Sequence, residues 1–209
     1  VPSSPLGDLR QWLDLLRKEG ELVEVPAEVD PDQEIAEIHR RVIAANGPAL
    51  FFSRVKGSRF PVVTNLFGTK RRVELAFGQR PKELIERIVK LAAGGEPPSL
   101  SHLWQSRDLF FQAMRLGTRK RSTGPVMEAV QEPPNLLDLP ILKVWPEDGG
   151  PFLTLPLVLT KDPTKGTPNL GVYRMQRYDK TTTGMHWQIG KGGGFHYAEA
   201  KRLGVPLPV

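Results

Sequence analysis

The chain has 209 residues, 39% hydrophobic and 25% charged, enough apolar material to bury a core in one domain or two and too much for a disordered protein. It holds no cysteine, which excludes disulfides, thiolate metal sites and cysteine nucleophiles. A formal charge of +6 and a pI near 9.7 would draw polyanions at low salt, but the one dense basic run, Arg115, Arg119, Lys120 and Arg121, lacks interleaved aromatics and reads as a solvated linker, so no nucleic-acid partner is expected.

No stretch approaches the roughly 18 apolar residues of a membrane span. The start, Val1-Pro2-Ser3-Ser4, lacks the charged and apolar regions of a signal peptide, so a soluble cytoplasmic protein is expected.

Taken in order, Gly7 to Glu19 place Leu9, Trp12, Leu13 and Leu16 at helical spacing, with Gly20 as the stop. Leu22, Val23 and Val25 predict a short strand. Asp30-Pro31 then predicts a helix start, with Asp30 as N-cap and Pro31 in the first turn, and Ile35, Ile38 and Val42 share its apolar face. Ala49 to Phe52 and Phe60 to Thr64 read as paired strands around Lys56-Gly57. Helical periodicity returns over Val73 to Phe77 and Pro81 to Ala92. Together these predict an α/β domain of short elements.

Gly94-Gly95-Glu96-Pro97-Pro98 is rich in turn formers. Beyond it His102 to Leu116 reads as a helix, and His102 near its start reads as structural or exposed. From Val126 onward the texture is of short β-type runs separated by prolines: Val126 to Val130, Leu139 to Trp145, Phe152 to Thr160 and Asn169 to Gln176. No helix-forming run interrupts them before Ala198, so this part is expected to be antiparallel and closed or nearly so. Tyr197 to Leu203 predicts the start of a helix, which Pro206 and Pro208 cannot continue, and the chain end is expected to leave as an extended strand.

The chemistry is expected in the last fifth, Asn169-Leu170-Gly171-Val172-Tyr173-Arg174-Met175-Gln176 and Gly184-Met185-His186-Trp187-Gln188-Ile189-Gly190-Lys191-Gly192-Gly193-Gly194. On strand alternation Asn169, Gly171 and Tyr173 share one face, and Val172, Arg174 and Gln176 the other. Glycines let backbone N–H groups approach a ligand, and Lys191 beside them favours an anionic one, which suggests a phosphate-bearing cofactor. A P-loop does not fit, because five residues separate Gly184 from Gly190 and Gly192 follows the lysine. Nor does a dinucleotide fingerprint, since no G-x-G-x-x-G follows a strand and opens a helix. By residue type alone, a glycine-rich hairpin with a half-buried tryptophan stands as an equal alternative.

The order of the motifs resembles that of the UbiD family of decarboxylases. The matching pieces are Trp145-Pro146-Glu147-Asp148-Gly149-Gly150-Pro151 with Thr154, Asn169 to Arg174, Met185 to Gln188 and Lys191-Gly192-Gly193. Upstream, Leu9-Arg10, Trp12-Leu13, Val29-Asp30, Gly47 to Leu50 and Asn65-Leu66-Phe67-Gly68 extend the likeness over nearly the whole chain.

The resemblance implies an α+β protein, with an N-terminal α/β domain over 1–121 and, over 122–209, the start of an antiparallel split β-barrel of flavin-binding type, incomplete at its C-terminus. It implies reversible decarboxylation of an aromatic or α,β-unsaturated carboxylic acid with prenylated FMN and a divalent metal, manganese or magnesium, often with potassium. Carried over by motif, Asn169 would ligate the metal that bridges to the cofactor phosphate. Val172, Tyr173, Arg174, His186, Trp187 and Gln188 would line the cofactor, and Lys191 with Gly192 would hold its phosphate. Arg174 would also be the catalytic cation, in a network with two glutamates.

Two departures stand against the pattern. Gly190 occupies a place where many relatives carry a histidine, which opens the metal site to water or to another side chain such as His196. The family's remaining metal ligand and both glutamates belong to a later segment, so the chain reads as a fragment, a split subunit or a truncated homologue. Arg174 is then expected to be a solvated cation without acidic neighbours, and the chain by itself is expected not to decarboxylate. Its partners would be the acid substrate and either further copies or a complementary C-terminal subunit. The competing reading is a non-catalytic flavin-binding or assembly subunit. A flavin reductase fits less well, because those enzymes do not share the motif from Asn169 to Arg174.

Overall fold

A computed structural model of the chain describes residues 7–78, 85–86 and 122–209. They fall in two compact units, one of residues 2–73 with 132–209, the other of 74–131 with Val1. The predicted helix from His102, the glycine-proline break at Gly94 and the basic run lie outside the described residues, as does most of the predicted helix from Pro81.

The first helix, α1 (Leu9–Lys18), begins where Asp8 accepts the Gln11 N–H at 2.9 Å, and Gly20, at φ 70°, follows its end. Its face of Trp12, Leu13 and Leu16 is buried, and Trp12 stacks on Phe67 at 5.9 Å. β1 (Leu22–Val29) leads through α2 (Glu34–Ala44) to β2 (Ala49–Val55), which lies parallel to β1. Such parallel pairing needs a crossover, and α2 supplies it. A turn at Gly57, at φ 75°, brings back β3 (Val62–Thr64) antiparallel to β2. Val29, Ile35, Leu50, Phe52 and Val55 form the core of this layer, and Val25, Ile38, Val42, Val62 and Leu142 pack against it. Full burial stabilises each such large side chain by about 1.5–3 kcal/mol.

The predicted start of α2 at Asp30-Pro31 is corrected, for the helix begins at Glu34. The intervening backbone is held elsewhere. Gln33 N–H donates to the Lys143 carbonyl at 2.9 Å, and Lys143 N–H donates to that of Pro31 at 3.1 Å. Asp30 accepts the Asp32 N–H at 2.9 Å and pairs with Lys56 at 2.8 Å. This exchange, with Leu142 in the core, joins the later half of the chain to the first sheet.

The β-type runs of the later half are shorter than predicted. Pro125–Met127 forms a 3-10 turn in place of a strand, and Val126 there is 86% exposed. From Leu139 to Trp145 only single bridges form, because Lys143 pairs with Asp32 and Leu142 with Phe152, on different neighbours. The strands that do form are β4 (Phe152–Leu153), β5 (Leu157–Lys161), β6 (Pro168–Val172), β7 (Met175–Arg177) and β8 (Thr183–Met185). β4, β7 and β8 make one antiparallel sheet, and β5 and β6 another. Among the described residues these sheets share no ladder, and no closed barrel is formed. Residues 205–209 leave as irregular chain, not as the expected strand.

Arg72, in α3 (Lys70–Phe77), is 1% exposed, with Nη1 on Glu21 at 2.9 Å and Nη2 on the Gly47 carbonyl at 3.1 Å. The last helix, α4 (Gly192–Leu203), begins ahead of the predicted Tyr197 and ends at Gly204, at φ 69°. A buried charge that loses its partner costs several kcal/mol, whereas replacing both partners by apolar residues of similar volume costs little. Glu21→Ala is therefore expected to lower unfolding stability by about 3 kcal/mol, and the double replacement Glu21→Leu with Arg72→Met by under about 1 kcal/mol, as read by urea denaturation.

Candidate functional site

The site is built where β5 and β6 meet the start of α4. Their antiparallel register sets Thr160 opposite Asn169 and Val158 opposite Gly171, and the buried or half-buried residues Val158, Thr160, Asn169, Gly171 and Tyr173 alternate with exposed ones. Thus Asn169, Gly171 and Tyr173 share the covered face, as their alternation predicts. Leu157, Leu159, Leu170 and Val172 occupy the other and are exposed.

The glycines that read as a hairpin are the first turn of a helix. Glycine costs about 1 kcal/mol per residue in a helix relative to alanine, so packing must require it. A methyl group at position 192 would stand 2.2 Å from Asn169 Oδ1. One at 193 would stand 2.6 Å from the Trp187 ring and 2.7 Å from the Tyr173 hydroxyl, and one at 194 would stand 2.7 Å from the Gln188 carbonyl oxygen. Their absence lets the Gly193 N–H donate to the Tyr173 hydroxyl at 2.8 Å. Trp187 meets Tyr173 edge-on at 5.1 Å and stacks on Tyr197 at 5.8 Å. Beside them opens a concavity of about 590 Å³, which Met175, Met185, Trp187 and Tyr197 help to line.

This helix start suits an anion. The N–H groups of Gly192 and Gly194 precede the first helical bond, from Phe195 N–H to the Lys191 carbonyl at 3.1 Å, and the helix dipole adds positive potential there. Lys191, the N-cap residue, carries its ammonium 5.8 Å from the Tyr173 ring centre. Asn169 Nδ2 is buried without a hydrogen-bond partner among the described residues. Such an orphan in a folded protein calls for an explanation, and a ligand is one. Gly190 lies at φ 87°, where a side chain would be strained, so the turn into α4 is built for glycine at the place where the resemblance implies histidine in many relatives.

His196 is 8% exposed, and its Nδ1 shares a 2.9 Å hydrogen bond with Thr160 Oγ1. No group of three or more His, Cys, Asp or Glu side chains able to hold a metal ion occurs among the described residues. From the described residues, then, a metal would draw the Asn169 amide oxygen and not a full ligand set.

Arg174 belongs to a second cluster. It sits between β6 and β7, its Nη2 donates to Asp148 Oδ2, and its guanidinium carbon lies 3.6 Å from the centre of the Phe152 ring. The Arg174 hydrogen bond, above all, holds the Asp148 carboxyl below its ordinary pKa, with the Trp145 N–H assisting. The expectation that Arg174 would be a solvated cation without acidic neighbours is corrected. By sequence Asp148 reads as part of a structural turn, and nothing local to it names a partner 26 positions away. Asn169, Tyr173, Trp187, Lys191 and Gly192 are brought together. Val172 lies on the opposite face, and His186 and Gln188 are exposed.

A larger concavity, about 770 Å³, lies elsewhere, between α2, the Asn65–Gly68 loop and the stretch from Leu142 to Pro146. Of the sequence motifs it includes Thr154, Trp145 and Pro146, but none of the residues around α4.

Two family models match the chain, the 3-octaprenyl-4-hydroxybenzoate carboxy-lyase N-terminal domain over residues 13–92 and the Rift-related domain of the same enzyme over 118–209. The chain belongs to the UbiD family. A protein of Chlamydia trachomatis is 55% identical over 202 residues, covering 96% of this chain and 34% of that protein. A Chlamydia pneumoniae relative, named as one of the subunits of a 4-hydroxybenzoate decarboxylase, is 51% identical, covering 96% of this chain and 34% of its own length. The chain thus spans about a third of these UbiD relatives.

Among solved structures, the UbiD-class enzyme HmfF of Pelotomaculum thermopropionicum in complex with prFMN superposes with a TM-score of 0.74 at 30% identity, over 95% of this chain and 42% of that one. Vanillic acid decarboxylase of Sedimentibacter hydroxybenzoicus does so with a TM-score of 0.76 at 27% identity, over 98% and 42%. The mixed α+β fold is therefore similar to that of UbiD-class enzymes. No helix among the described residues is long and apolar enough to cross a membrane.

If packing dictates the glycine run, its helix propensity is overridden. Gly193→Ala, which in an open helix would stabilise by about 1 kcal/mol, is expected here to lower the unfolding midpoint, because the methyl displaces Tyr173 and Trp187. Thermal unfolding followed by circular dichroism decides the sign.

Proposed function

We propose that the chain carries the flavin-phosphate cradle and the carboxylate-binding arginine of a UbiD-type decarboxylase acting on an aromatic or α,β-unsaturated acid. The observation that carries this reading is the glycine-opened start of α4, with Lys191 beside it and Asn169 Nδ2, unpartnered among the described residues, against it. The HmfF complex with prFMN supports prenylated FMN as the cofactor. The split β-barrel belongs to the same proposal, with residues 122–209 as its beginning and 1–121 as the preceding domain. A relative named as a decarboxylase subunit supports assembly with a further chain.

In this reading the N–H groups of Gly192 and Gly194 and the Lys191 ammonium bind the phosphate. Asn169 would offer its amide oxygen to manganese or magnesium, hard cations that take such ligands and whose charge would screen that of the phosphate. Tyr173 and Trp187 wall the cofactor, and the exposed His186 and Gln188 approach it from the β8 side, whereas Val172, on the opposite face of β6, does not reach it. Arg174 holds the substrate carboxylate, the bond from its carbon to the rest of the acid breaks, and carbon dioxide leaves. Bound beside it, the modified flavin would supply the electron sink for the pair left behind. A proton then completes the product.

Phosphate recognition gives two expected outcomes, each checked by fluorescence titration with FMN. Lys191→Ala weakens binding by about tenfold, and added salt weakens the parent more than the variant, because the lost contact is the screened one. Asn169→Ala removes the part of FMN binding that depends on manganese and leaves the metal-independent part. Affinity unchanged by either substitution, at low and high salt, would contradict the cradle.

A further inference from the structure

We propose that Asp148 is a positioning residue for Arg174, fixing the guanidinium so that its free donors face the substrate carboxylate. The inference rests on the reading of Arg174 as the carboxylate-binding group, and it gives a role to the Trp145-to-Pro151 motif.

An arginine between two short strands has many rotamers, and an ordinary exposed ion pair does little to select one. This pair is different in its surroundings. The Asp148 side chain is 10% exposed, against 38% for Arg174. Its Oδ2 also accepts the Trp145 N–H at 3.1 Å, which ties the carboxylate to the turn it closes. That turn is seated on β7, the strand that follows Arg174. Methyl groups at Gly149 and Gly150 would stand 3.0 and 3.3 Å from Gln176 Nε2, and Gln176 pairs with Phe152 across β4 and β7.

Phe152 in turn lies under the guanidinium, so the cation is fixed from its edge by Asp148 and from its face by the ring. Arginine has five N–H donors, and Asp148 engages one nitrogen, Nη2. Among the described residues the other two nitrogens have no acceptor, and they keep their hydrogens for a planar carboxylate. A shift of about 1 Å in such a group can cost on the order of a hundredfold in rate.

The test is a double-mutant cycle in the prenylated-FMN-loaded enzyme that contains this chain. Carbon dioxide release is measured on the best substrate from a panel of cinnamate-like and hydroxybenzoate-like acids. Asp148→Asn keeps an acceptor for the Trp145 N–H and removes the charge. It is expected to lower kcat by about ten- to a hundredfold with KM not raised, while FMN affinity stays as in the parent. Arg174→Ala loses at least as much, and the double variant loses no more than Arg174→Ala alone.

A second readout needs no turnover. The Arg174 guanidinium ¹⁵N–H signals, restrained in the parent, average in Asp148→Asn. Phe152→Leu approaches the same geometry from the ring, with a smaller loss that vanishes in the Arg174→Ala background. It decides the question should Asp148→Asn fail to fold. Normal kcat in Asp148→Asn, or losses that multiply in the double variant, would overturn the role of Asp148 and leave the decarboxylase reading standing. Full activity in Arg174→Ala would overturn that reading itself.

Discussion

The Gly193 N–H ends on the Tyr173 hydroxyl, and the proximity this demands decides much of what surrounds it. For the helix to come so close to β6, three consecutive residues must lack side chains, because each methyl would strike Asn169, Tyr173, Trp187 or the Gln188 backbone. Three glycines at a helix start are unfavourable by propensity. The packing of Tyr173 and Trp187 offsets that cost, and the result is a helix end whose N–H groups are reachable. The same closeness leaves Asn169 Nδ2 buried without a hydrogen-bond partner among the described residues. A stability problem and a binding surface are thus two descriptions of one contact.

Arg174 stands outside that contact but on the same chain segment. Tyr173 is buried against α4 while the next residue turns to Asp148 and Phe152. Both residues lie in the break between β6 and β7, which lets adjacent residues serve different clusters. Asp148, held below the ordinary aspartate pKa by Arg174, stabilises the fold fully above about pH 4. That contribution fades as pH falls from there through the lowered folded value. At neutral pH the pair is therefore intact, and the cation is available in a fixed orientation.

Much of the first half was legible in the residues, because its elements bury one face each. Trp12, Leu13 and Leu16 recur at helical spacing, and Ile35, Ile38 and Val42 do so again. The later half was less legible for identifiable reasons. Leu139 to Trp145 has the composition of a strand, but its backbone groups are divided between Asp32 and Phe152, a partition that only tertiary structure reveals. The start of α4 reads as a loop because glycine is a poor helix former, and the requirement for it comes from Asn169, Tyr173 and Trp187. The motif order pointed to the right family and to the segment where the residues gather. It could not show that Arg174 is paired with Asp148, nor that Val172 faces away from α4.

The central claim is that the start of α4 receives a phosphate, and it is tested most directly by titrating the ¹⁵N-labelled chain with FMN and, separately, with riboflavin, which differs by lacking that group. The account predicts saturable shifts of the Gly192 and Gly194 amides with FMN, and affinity for riboflavin at least about tenfold weaker, since a charge-assisted hydrogen bond to an anion contributes on the order of 1.5–3 kcal/mol. Equal affinity for the two flavins, or shifts that leave Gly192 and Gly194 unmoved, would contradict it.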